Sequence, residues 1–506
     1  MHPAKLENGV VRTSPGFADG YAAIAEGGWV GISASPTHGG MGLPLALNTA
    51  MHDMMCGACI SLNLCPLLSQ GQIEALEHHA TEELQNLYLP KLISGEWTGT
   101  MNLTEPQAGS DVGALTSKAE LQADGTYKIS GQKIFITWGE HDVAENICHL
   151  VLARLPDGKS GPKGISLFLV PKFIPNADGS LGVRNDLRCV SLEHKLGIHG
   201  SPTAVMEFSG ATGWLVGQEH NGMACMFTMM NNARLAVGMQ GVGVAEGAYQ
   251  HALAYAMDRK QGRAMIADGT GAIIDHADVR RMLAQMKSEI FAARAIGVAC
   301  AVAIDMTKAT GDVDWRARAA LLTPITKSFG SDTGVAVADL GVQIHGGMGF
   351  VEETAAAQYL RDVRITPIYE GTNGIQAMDL VARKMMDGGA AAFALMDEMV
   401  TLASASSSKL AVAVLASIVE LRSTTEWLLT QELNDRFAGA VAYQKAFARV
   451  LGGYFHLVAA MSGKGKRVRM ATIYINSLLP EYMALCAQAR SGAGDLYALE
   501  LDDFAA

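Results

Sequence analysis

The first hundred residues carry apolar side chains at the three- and four-residue spacing that is typical of amphipathic helices. This spacing predicts an α-helical domain over residues 1–97, in which residues 1–16 are an irregular lead-in and residues 17–97 are helical. The predicted helices run, in chain order, from Phe17 to Gly27, Leu43 to Leu62, Leu67 to Ala75 and Glu82 to Ser94.

The spacing changes at Thr98, where short runs rich in β-branched and aromatic residues begin. About seven such runs follow within residues 98–218, and turn signals such as Asp124-Gly125 and Ser130-Gly131 separate them. The run from Lys133 to Thr137 alternates as a half-buried strand does. Many short strands in one segment predict a middle β-domain with the architecture of a barrel or a sandwich.

From Glu219 the helical spacing returns, and residues 219–386 are predicted to form a helical bundle. Small and apolar residues fill 222–258, and Pro324 is predicted to lie in the first turn of a helix that runs to Leu340. Gly388-Gly389 marks a boundary, beyond which residues 390–506 are predicted to be an additional helical extension broken at Ser404 to Ser408. The fold class is therefore α+β.

Composition and charge exclude some classes of function. The formal net charge of −11 argues against nucleic acid as the main partner. No apolar run reaches the ~18 residues that span a bilayer, and no apolar signal core follows Met1 to Lys5. We therefore expect no integral membrane segment and a cytoplasmic location.

Eight cysteines in 506 residues do not form a disulfide framework. Cys56, Cys59 and Cys65 lie close together near His52, which makes a metal site conceivable. The cluster lies in an apolar helical stretch and lacks a second pair of ligands, so we expect reduced, buried thiols and no metal.

One carboxylate stands in the segment Ile368-Tyr369-Glu370-Gly371-Thr372-Asn373-Gly374, which follows Pro367 and precedes an apolar helical pattern. A carboxylate on a loop held between helices is well placed to act as a general base. Equally, Glu370 could cap or charge the first turn of the next helix. The residues of this segment alone leave both interpretations open.

The neighbouring motifs carry a resemblance to a known family. Three motifs together resemble the C-terminal signature of the acyl-CoA dehydrogenase flavoproteins. They are Gln-Ile-His-Gly-Gly-Met-Gly-Phe at 343–350, Leu-Arg-Asp at 360–362 and Tyr-Glu-Gly-Thr at 369–372. The resemblance spans residues 17–386 and implies FAD as cofactor and the family's order of helical domain, β-barrel domain and helical bundle. Residues 390–506 resemble the extra domain of the family's long members, and the N-terminal domain is expected to lack its opening helices.

The resemblance also implies roles for individual residues in binding the cofactor. Thr104-Glu105-Pro106-Gln107-Ala108-Gly109-Ser110-Asp111 resembles the flavin loop, with Thr104 on the flavin pyrimidine edge and Ser110 near the phosphates. Phe135 and Thr137 correspond to the flavin strand, where many members have Trp in place of Phe135. Without the resemblance, a plain linker turn and an ordinary core aromatic explain these segments as well.

A second set of residues corresponds to positions that reach the FAD of a neighbouring subunit, which implies a homodimer. This set consists of Arg259, Gln343, Gly346 and Gly347, and Thr372 is also assigned to the cofactor. Arg259 belongs to the basic segment Asp258 to Arg263, whose cations are favourable at a helix C-terminus whatever the function. This segment lacks the Phe that often precedes the glycine in the family.

For the substrate, the resemblance assigns Glu370 as the base that removes the α-proton of an acyl-CoA thioester to give a trans-2-enoyl-CoA. A few branches carry the base at the position of Ala233, whose side chain has no acidic group. The residues implied to line the acyl-CoA site are Ser110, Asn231, Arg234, Tyr369 and Gly371. Asn231 to Arg234 are predicted to open the long helix after the β-domain. An electron-transfer flavoprotein is the implied electron acceptor.

Within the family, the length, the Ile-Tyr-Glu-Gly-Thr-Asn-Gly-Ile-Gln version of the motif and the extension most resemble the bacterial 3-methylmercaptopropionyl-CoA dehydrogenase type. Long-chain acyl-CoA dehydrogenases are the alternative, followed by an acyl-CoA oxidase and a non-catalytic helical scaffold. Met223, Met226, Met229 and Met230 precede Arg234 and suit a thioether substrate, or they are core filler.

Overall fold

The computed structural model describes residues 2–463 and 465–505, with the side chain of Asn231 outside this description. The chain divides into two compact units. The first contains residues 1–48 and 59–233, and the second contains residues 49–58 and 234–506.

The chain begins with a short antiparallel hairpin. Strand β1 (Lys5–Glu7) pairs with β2 (Val10–Arg12), and Asn8 and Gly9 between them have φ angles of 50° and 80°. Two successive positive φ angles belong to a type I′ turn, for which Asn-Gly is the preferred pair. The prediction of an irregular lead-in over residues 1–16 is therefore wrong, because strands this short show no period.

Three helices of the first part of the chain follow, α1 (Phe17–Glu26), α2 (Leu45–His79) and α3 (Glu82–Ser94). The predicted break between Leu62 and Leu67 is wrong, because α2 continues through Pro66. The irregularity lies instead at Cys59, where φ is −161° and ψ is 93°. Side chains on both sides of Pro66 are buried, so packing keeps the segment helical despite the cost of the proline.

The middle segment is a β-barrel, one of the two architectures that the pattern predicts. The strands are β3 (Trp97–Asn102), β4 (Lys118–Leu121), β5 (Tyr127–Thr137), β6 (Asn146–Arg154), β7 (Ile165–Pro171), β8 (Phe173–Pro175), β9 (Leu181–Arg184), β10 (Leu187–Leu192) and β11 (Thr203–Val216). Pairing runs from β4 to β5, β11, β7 and β6 and returns to β4, which closes a ring. Strand β10 is added beside β11 and β3 beside β6, and β8 and β9 form a separate hairpin.

One predicted turn lies inside a strand. Ser130-Gly131 belongs to the interior of β5, and Gly131 has a φ of 146°. A Cβ atom at Gly131 would lie 2.3 Å from the Ser117 hydroxyl oxygen. The glycine therefore permits the close approach of a neighbouring segment rather than a reversal of the chain.

The bundle of the second unit contains helices with bounds different from those predicted. The helices here are α4 (Gly222–Asp258), which begins in the first unit, α5 (Ala277–Thr310), α6 (Val313–His345), α7 (Ala356–Val363) and α8 (Asn373–Val381). Because α4 begins at Gly222, residues 231–234 lie in its interior and do not open it. Pro324 likewise lies inside α6, whose start is capped by the Asp312 carboxylate accepting from the Asp314 N–H at 2.7 Å.

The extension is helical, as predicted, and packs on the bundle within the second unit. Its helices are α9 (Ala390–Ser404), α10 (Lys409–Leu429), α11 (Leu433–Ser462), α12 (Lys466–Ile473), α13 (Glu481–Ala489) and α14 (Gly494–Ala498). The break at Ser404 to Ser408 is confirmed, and Ser408 caps α10 by accepting from the Ala411 N–H at 3.2 Å. Helix α11 contacts α5, α6 and α8.

Two helices, α2 and α5, are long and apolar enough to cross a bilayer, with 67% and 44% of their most apolar windows buried inside the protein. Core helices of soluble proteins satisfy the same criterion. In the second unit, Asp53 on α2 forms an ion pair with Arg294 on α5 at 3.1 Å, which would be costly in hydrocarbon. Among the described residues, no group of three or more His, Cys, Asp or Glu side chains is arranged to hold a metal.

Candidate active site

Glu370 lies in the loop between α7 and α8 with an uncommon backbone conformation. Its φ is 55°, in the left-handed region that residues with a side chain rarely adopt, and Gly371 follows with a φ of 83°. Gln376, buried in α8, donates from its side-chain amide to the Glu370 carbonyl at 3.1 Å. Strain of this kind persists only where surrounding contacts maintain it, and it is concentrated at functional sites.

The Glu370 carboxylate is partly exposed but largely desolvated. Burial raises the pKa of Glu370 to about 7, although the positive charges of Arg234 on α4 and Lys327 on α6 act to lower it. A carboxylate with this pKa can take up and release a proton near neutral pH, as a general base must. The cap of α8 is Thr372, whose hydroxyl accepts from the Ile375 N–H at 3.2 Å, so Glu370 does not cap the helix.

Helices α4 and α6 approach each other unusually closely. A Cβ atom at Gly241 would lie 2.1 Å from the Gly330 carbonyl oxygen, and one at Gly330 would lie 2.3 Å from the Gly238 carbonyl oxygen. Only glycines permit this backbone contact. The crossing brings together the helix that carries Arg234 and the helix that carries Lys327.

Arg234 and Tyr369 both have partners inside the second unit. The buried Arg234 guanidinium lies 3.9 Å from the Asp379 carboxylate on α8. The Tyr369 hydroxyl donates to the side-chain carbonyl of Gln240 on α4. Their assignment to the substrate stays a prediction, as does that of Gly371, which neighbours both Glu370 and the Gln376 amide. The predicted Asn231 contact concerns a side chain outside the described structure.

A partly buried polar cluster near Glu370 was not predicted from the sequence. Lys327 donates from Nζ to the Asn373 side-chain carbonyl at 2.9 Å, and Asn373 Nδ2 donates to the Asp332 carboxylate at 2.7 Å. Burial lowers the pKa of Lys327 to about 8, while Glu370 and Asp332 favour its charged form. A lysine flanked by Ile325 and Phe329 within an apolar helical stretch was the signal that could have revealed it.

In the first unit, the predicted flavin loop is held against β5. The Thr104 carbonyl accepts from the Ile134 N–H at 2.9 Å, and the backbones of Glu105 and Ala108 exchange two hydrogen bonds of 3.0 Å. Ser110 is exposed at the end of the loop. The loop therefore presents partly exposed hydroxyls from a fixed backbone.

The buried pair of Glu105 and Lys133 anchors this loop. Lys133 Nζ lies 2.8 Å from the Glu105 carboxylate and donates to the Leu103 carbonyl at 2.9 Å. Burial alone would raise the pKa of Glu105, but Lys133 and the hydrogen bonds from Ser117 and Thr116 lower it to about 2. Sequence reasoning missed this ion pair because its members are far apart in the chain.

Phe135 lies in a β-bulge. Between the pairs Ile136–Ala204 and Lys133–Met206, two residues of β5 face one residue of β11. Phe135 has a φ of 60°, and its side chain is 59% exposed, which is unusual for a large aromatic on a strand. Bulges redirect side chains, and this one turns Phe135 out of the barrel core. Thr137 lies two residues further along β5 and is half-buried.

The residues implied to reach a neighbour's cofactor lie at the ends of α4 and α6. Arg259 is exposed directly after α4, and Gln343, Gly346 and Gly347 are exposed at the end of α6. Tyr255 and His345 stack with ring centroids 4.4 Å apart, so the two helix ends meet. Gly346 has φ 61° and ψ −138°, a conformation that requires glycine.

Comparisons with known protein families match most of the chain. Sequence models of the acyl-CoA dehydrogenase N-terminal, middle and C-terminal domains match residues 10–96, 100–211 and 220–386. The chain belongs to the acyl-CoA dehydrogenase family. A model described as acetyl-CoA dehydrogenase C-terminal like matches residues 392–500 of the extension. The predicted family and the predicted fold, including the additional C-terminal domain, are thereby confirmed.

Several curated relatives and solved structures are similar to the chain. A 3-methylmercaptopropionyl-CoA dehydrogenase of Ruegeria pomeroyi (strain ATCC 700808 / DSM 15171 / DSS-3) is 52% identical over 393 residues, covering 76% of this chain and 67% of the relative. The chain spans 58 to 67% of the length of four curated relatives that it matches, including this one. A structure reported for the electron transferring flavoprotein of Acidaminococcus fermentans has 28% identity and a TM-score of 0.63, covering 74% of this chain and 93% of that one.

Acyl-CoA dehydrogenases use FAD, and they are oxidoreductases that act on a CH–CH bond. The acyl-CoA dehydrogenase of Bacillus anthracis complexed with FAD has the same fold, at a TM-score of 0.77 and 22% identity over 94% of this chain and 82% of that one. The donor set of the first unit fits a flavin, since the exposed Phe135 ring offers an aromatic face and Thr104, Ser110 and Thr137 offer hydroxyls.

Proposed function

We propose that the protein is an FAD-dependent acyl-CoA dehydrogenase that converts 3-methylmercaptopropionyl-CoA, or another short acyl-CoA, to the trans-2-enoyl-CoA. The observation that carries this proposal is Glu370, a desolvated carboxylate with a pKa of about 7 in the position of the family's base. The substrate class rests on the similarity to the Ruegeria pomeroyi enzyme.

Glu370 performs the proton transfer in this proposal. Its carboxylate accepts the α-proton of the thioester, and the positive charges of Arg234 and Lys327 keep a fraction of the carboxylate ionised at neutral pH despite its burial. The fixed loop backbone holds the carboxylate in one position, which reduces the entropy cost of reaching the reactive geometry. FAD, when bound, supplies the acceptor for the hydride from the β-carbon.

We propose that the flavin is held by Thr104, Ser110, Phe135 and Thr137. A second set of residues is proposed to complete cofactor binding in a homodimer: Arg259, Gln343, Gly346, Gly347 and Thr372. The exposure of Arg259 and of the glycines at the end of α6 supports this assignment. Met265, in the loop after α4, is fully exposed, which suits a surface covered by a second copy. Light scattering of the flavin-loaded protein tests the homodimer, and a flavin-loaded monomer contradicts it.

We also propose an electron-transfer flavoprotein as acceptor and a cytoplasmic location. The family resemblance and the similar structure from Acidaminococcus fermentans support the acceptor. All eight cysteines are free thiols, which supports a reducing compartment.

The four methionines before Arg234 differ in burial. Met226 and Met229 are fully buried, and Met229 packs against the backbone of Gly71 in the first unit. They therefore fit the interpretation of core filler. Met223 and Met230 are only half-buried and stay candidates for contact with a thioether.

The test is kcat/KM for 3-methylmercaptopropionyl-CoA, butyryl-CoA and palmitoyl-CoA on one FAD-loaded preparation. Butyryl-CoA, which lacks only the thioether sulfur atom, is expected to have a kcat/KM within about 200-fold of that for 3-methylmercaptopropionyl-CoA, since a group the size of one methylene changes discrimination by ~1–3 kcal/mol. A maximum at palmitoyl-CoA would replace the substrate assignment with the long-chain alternative. The absence of flavin bleaching with all three would overturn the proposed activity.

A further inference from the structure

Asn373, the first residue of α8, is the centre of a partly buried hydrogen-bond network on α6. Its side-chain carbonyl accepts from Lys327 Nζ at 2.9 Å and from the Ser331 hydroxyl at 3.2 Å. Its side-chain amide donates to the Asp332 carboxylate at 2.7 Å and to the Ser328 carbonyl at 3.4 Å. Both ends of the amide are used, so the position of the Asn373 side chain is determined by α6.

The same residue closes the loop that carries Glu370. The Asn373 N–H donates to the Pro367 carbonyl at 3.0 Å, which joins the two ends of the segment that contains Tyr369, Glu370 and Gly371. A loop whose ends are fixed in this way can hold the left-handed backbone of Glu370, where φ is 55°. The network on α6 and the conformation of the base are therefore mechanically connected.

The C-terminal extension contributes one member of the network. Lys445 on α11 lies 3.8 Å from the Asp332 carboxylate, on the wall of a cavity of about 540 Å³. Burial raises the pKa of Asp332, and Lys445 is the strongest of the groups that favour its ionised form. Lys445 thus helps to keep Asp332 charged, and a charged Asp332 is the stronger acceptor for the Asn373 amide.

We propose that Lys327, Asn373 and Asp332, together with Lys445 from the C-terminal extension, position the loop of Glu370 and set the charge around its carboxylate. None of these residues is assigned to the substrate or to FAD, and they act through Glu370 as positioning residues. The proposal rests on the proposed function, because Glu370 is taken as the base. It gives the extension a role in the reaction beyond covering the bundle.

The charged and titratable groups around Glu370 come from α4, α6, α8 and its own loop. Arg234 on α4 and Lys327 on α6 stabilise its ionised form, and the Tyr369 hydroxyl lies on its own loop. Behind them, Asp379 on α8 pairs with Arg234, and Asp332 stands beside Asn373. Removal of the Lys327 charge alone therefore leaves Arg234 as the nearest cation and makes the ionised form of Glu370 less favourable.

The first experiment measures anaerobic flavin reduction by acyl-CoA against pH, using the FAD-loaded full chain. In Lys327→Met, the acidic limb of the profile is expected to move to higher pH by about one unit, the lower end of the effect of an opposite charge nearby. Lys327→Arg keeps the charge and should keep the limb near its wild-type position. A slower Lys327→Met enzyme with an unmoved limb would show a purely structural lysine and overturn the proposal.

The second experiment is a double-mutant cycle on the extension. Lys445→Met should lower the maximal rate of flavin reduction about two- to five-fold, as expected for a half-exposed ion pair, with the half-saturating acyl-CoA concentration unchanged. Lys445→Arg should restore the rate, since the adjoining cavity has room for the larger side chain. In an Asp332→Asn background, Lys445→Met should have no further effect.

The matched control is Lys409→Met, which removes an exposed lysine at the start of α10 in the same extension. It should leave the rate unchanged in both backgrounds. Additive effects of Lys445→Met and Asp332→Asn would contradict the network even if Lys327→Met fails to retain FAD. Wild-type protein that binds FAD but is not reduced by any acyl-CoA would instead refute the proposed function, which keeps the two failures distinct.

Discussion

The side-chain amide of Gln376 donates a hydrogen bond to the backbone carbonyl of Glu370 at 3.1 Å. A side chain of helix α8 therefore contacts the backbone of the loop that leads into this helix. Gln376→Leu keeps a similar volume but removes this donor. We expect flavin reduction to slow by up to about 10²-fold, the effect of a displacement of about 1 Å at a reacting group. Unfolding free energy should fall by only about 1 kcal/mol. Stopped-flow flavin bleaching and thermal unfolding measure the two effects.

The control for that variant is Gln250→Leu, which removes an exposed glutamine whose side chain donates to Glu246 on α4 at 3.1 Å. It should change neither rate nor stability. Equal slowing in both variants would show that the Glu370 carbonyl contact has no special importance.

The Glu105–Lys133 pair should make stability depend on acid pH. The pKa of Glu105 is about 2 in the folded protein, against an ordinary value near 4.5, so the unfolded chain binds more protons between these values. The contribution of Glu105 is therefore complete above pH ~4.5 and is lost as pH falls towards 2. Burial lowers the pKa of Lys133 to about 8, so both partners are charged only between about pH 4.5 and pH 8. Thermal midpoints across this range should depend less on pH in Glu105→Gln than in wild type.

Removal of Lys133 should be more damaging than neutralisation of Glu105. Lys133→Met leaves a fully buried carboxylate without its cation, and breaking a buried pair costs about 3–5 kcal/mol. Chemical unfolding followed by barrel fluorescence measures this loss. A loss below about 1 kcal/mol would mean that the pair is not buried as described.

Phe135 should matter for the cofactor and not for the fold. Because its side chain is 59% exposed and lies in a bulge, Phe135→Ala should leave the unfolding midpoint of the FAD-free protein nearly unchanged. The affinity for FAD should fall about two- to ten-fold through loss of an aromatic contact worth ~0.5–1.5 kcal/mol. Phe135→Trp should retain FAD. A destabilised apoprotein with normal FAD affinity would identify Phe135 as a core residue.

We expect Arg449 to stabilise the packing of the C-terminal extension against the bundle. Its guanidinium contacts the Glu289 carboxylate at 2.7 and 2.8 Å and the Glu481 carboxylate at 2.7 Å. Arg449→Met leaves the buried Glu289 unpaired, and we expect a loss of about 3–5 kcal/mol. Limited proteolysis should then cleave between α8 and α9 sooner than in the wild type. Unchanged cleavage would show that other contacts dock the extension.

Local patterns predicted the outline of the fold, whereas Glu370 was singled out by the family resemblance and not by its own segment. The run of short strands predicted a barrel or a sandwich, and helical spacing predicted the bundle and the extension. The errors arose where local signals compete. A helix break was predicted before Leu67 and a helix start at Pro324, but buried side chains around Pro66 and Pro324 keep both segments helical, and the irregularity of α2 lies at Cys59. The Asn8-Gly9 turn signal was present in the sequence and was overlooked, because its strands are only three residues long.

The polar contacts that support the candidate site could not be predicted from spacing. Lys327 and Asn373 are separated by 46 positions, and Lys133 and Glu105 by 28. Such pairs are brought together by tertiary packing, which in the second unit includes the glycine crossing of α4 and α6. Glu370 stays a predicted base from the family resemblance, whereas the groups that contact its loop and shift its pKa became visible only in the coordinates.

The central claim is that Glu370 is the base, and Glu370→Gln tests it most directly because the amide keeps the shape and removes the proton acceptor. Anaerobic stopped-flow mixing of the FAD-loaded protein with 3-methylmercaptopropionyl-CoA measures flavin bleaching in wild type and variant. The account predicts that the variant retains FAD and binds acyl-CoA but bleaches at least ~10²-fold more slowly. Near-normal bleaching in Glu370→Gln would contradict the account.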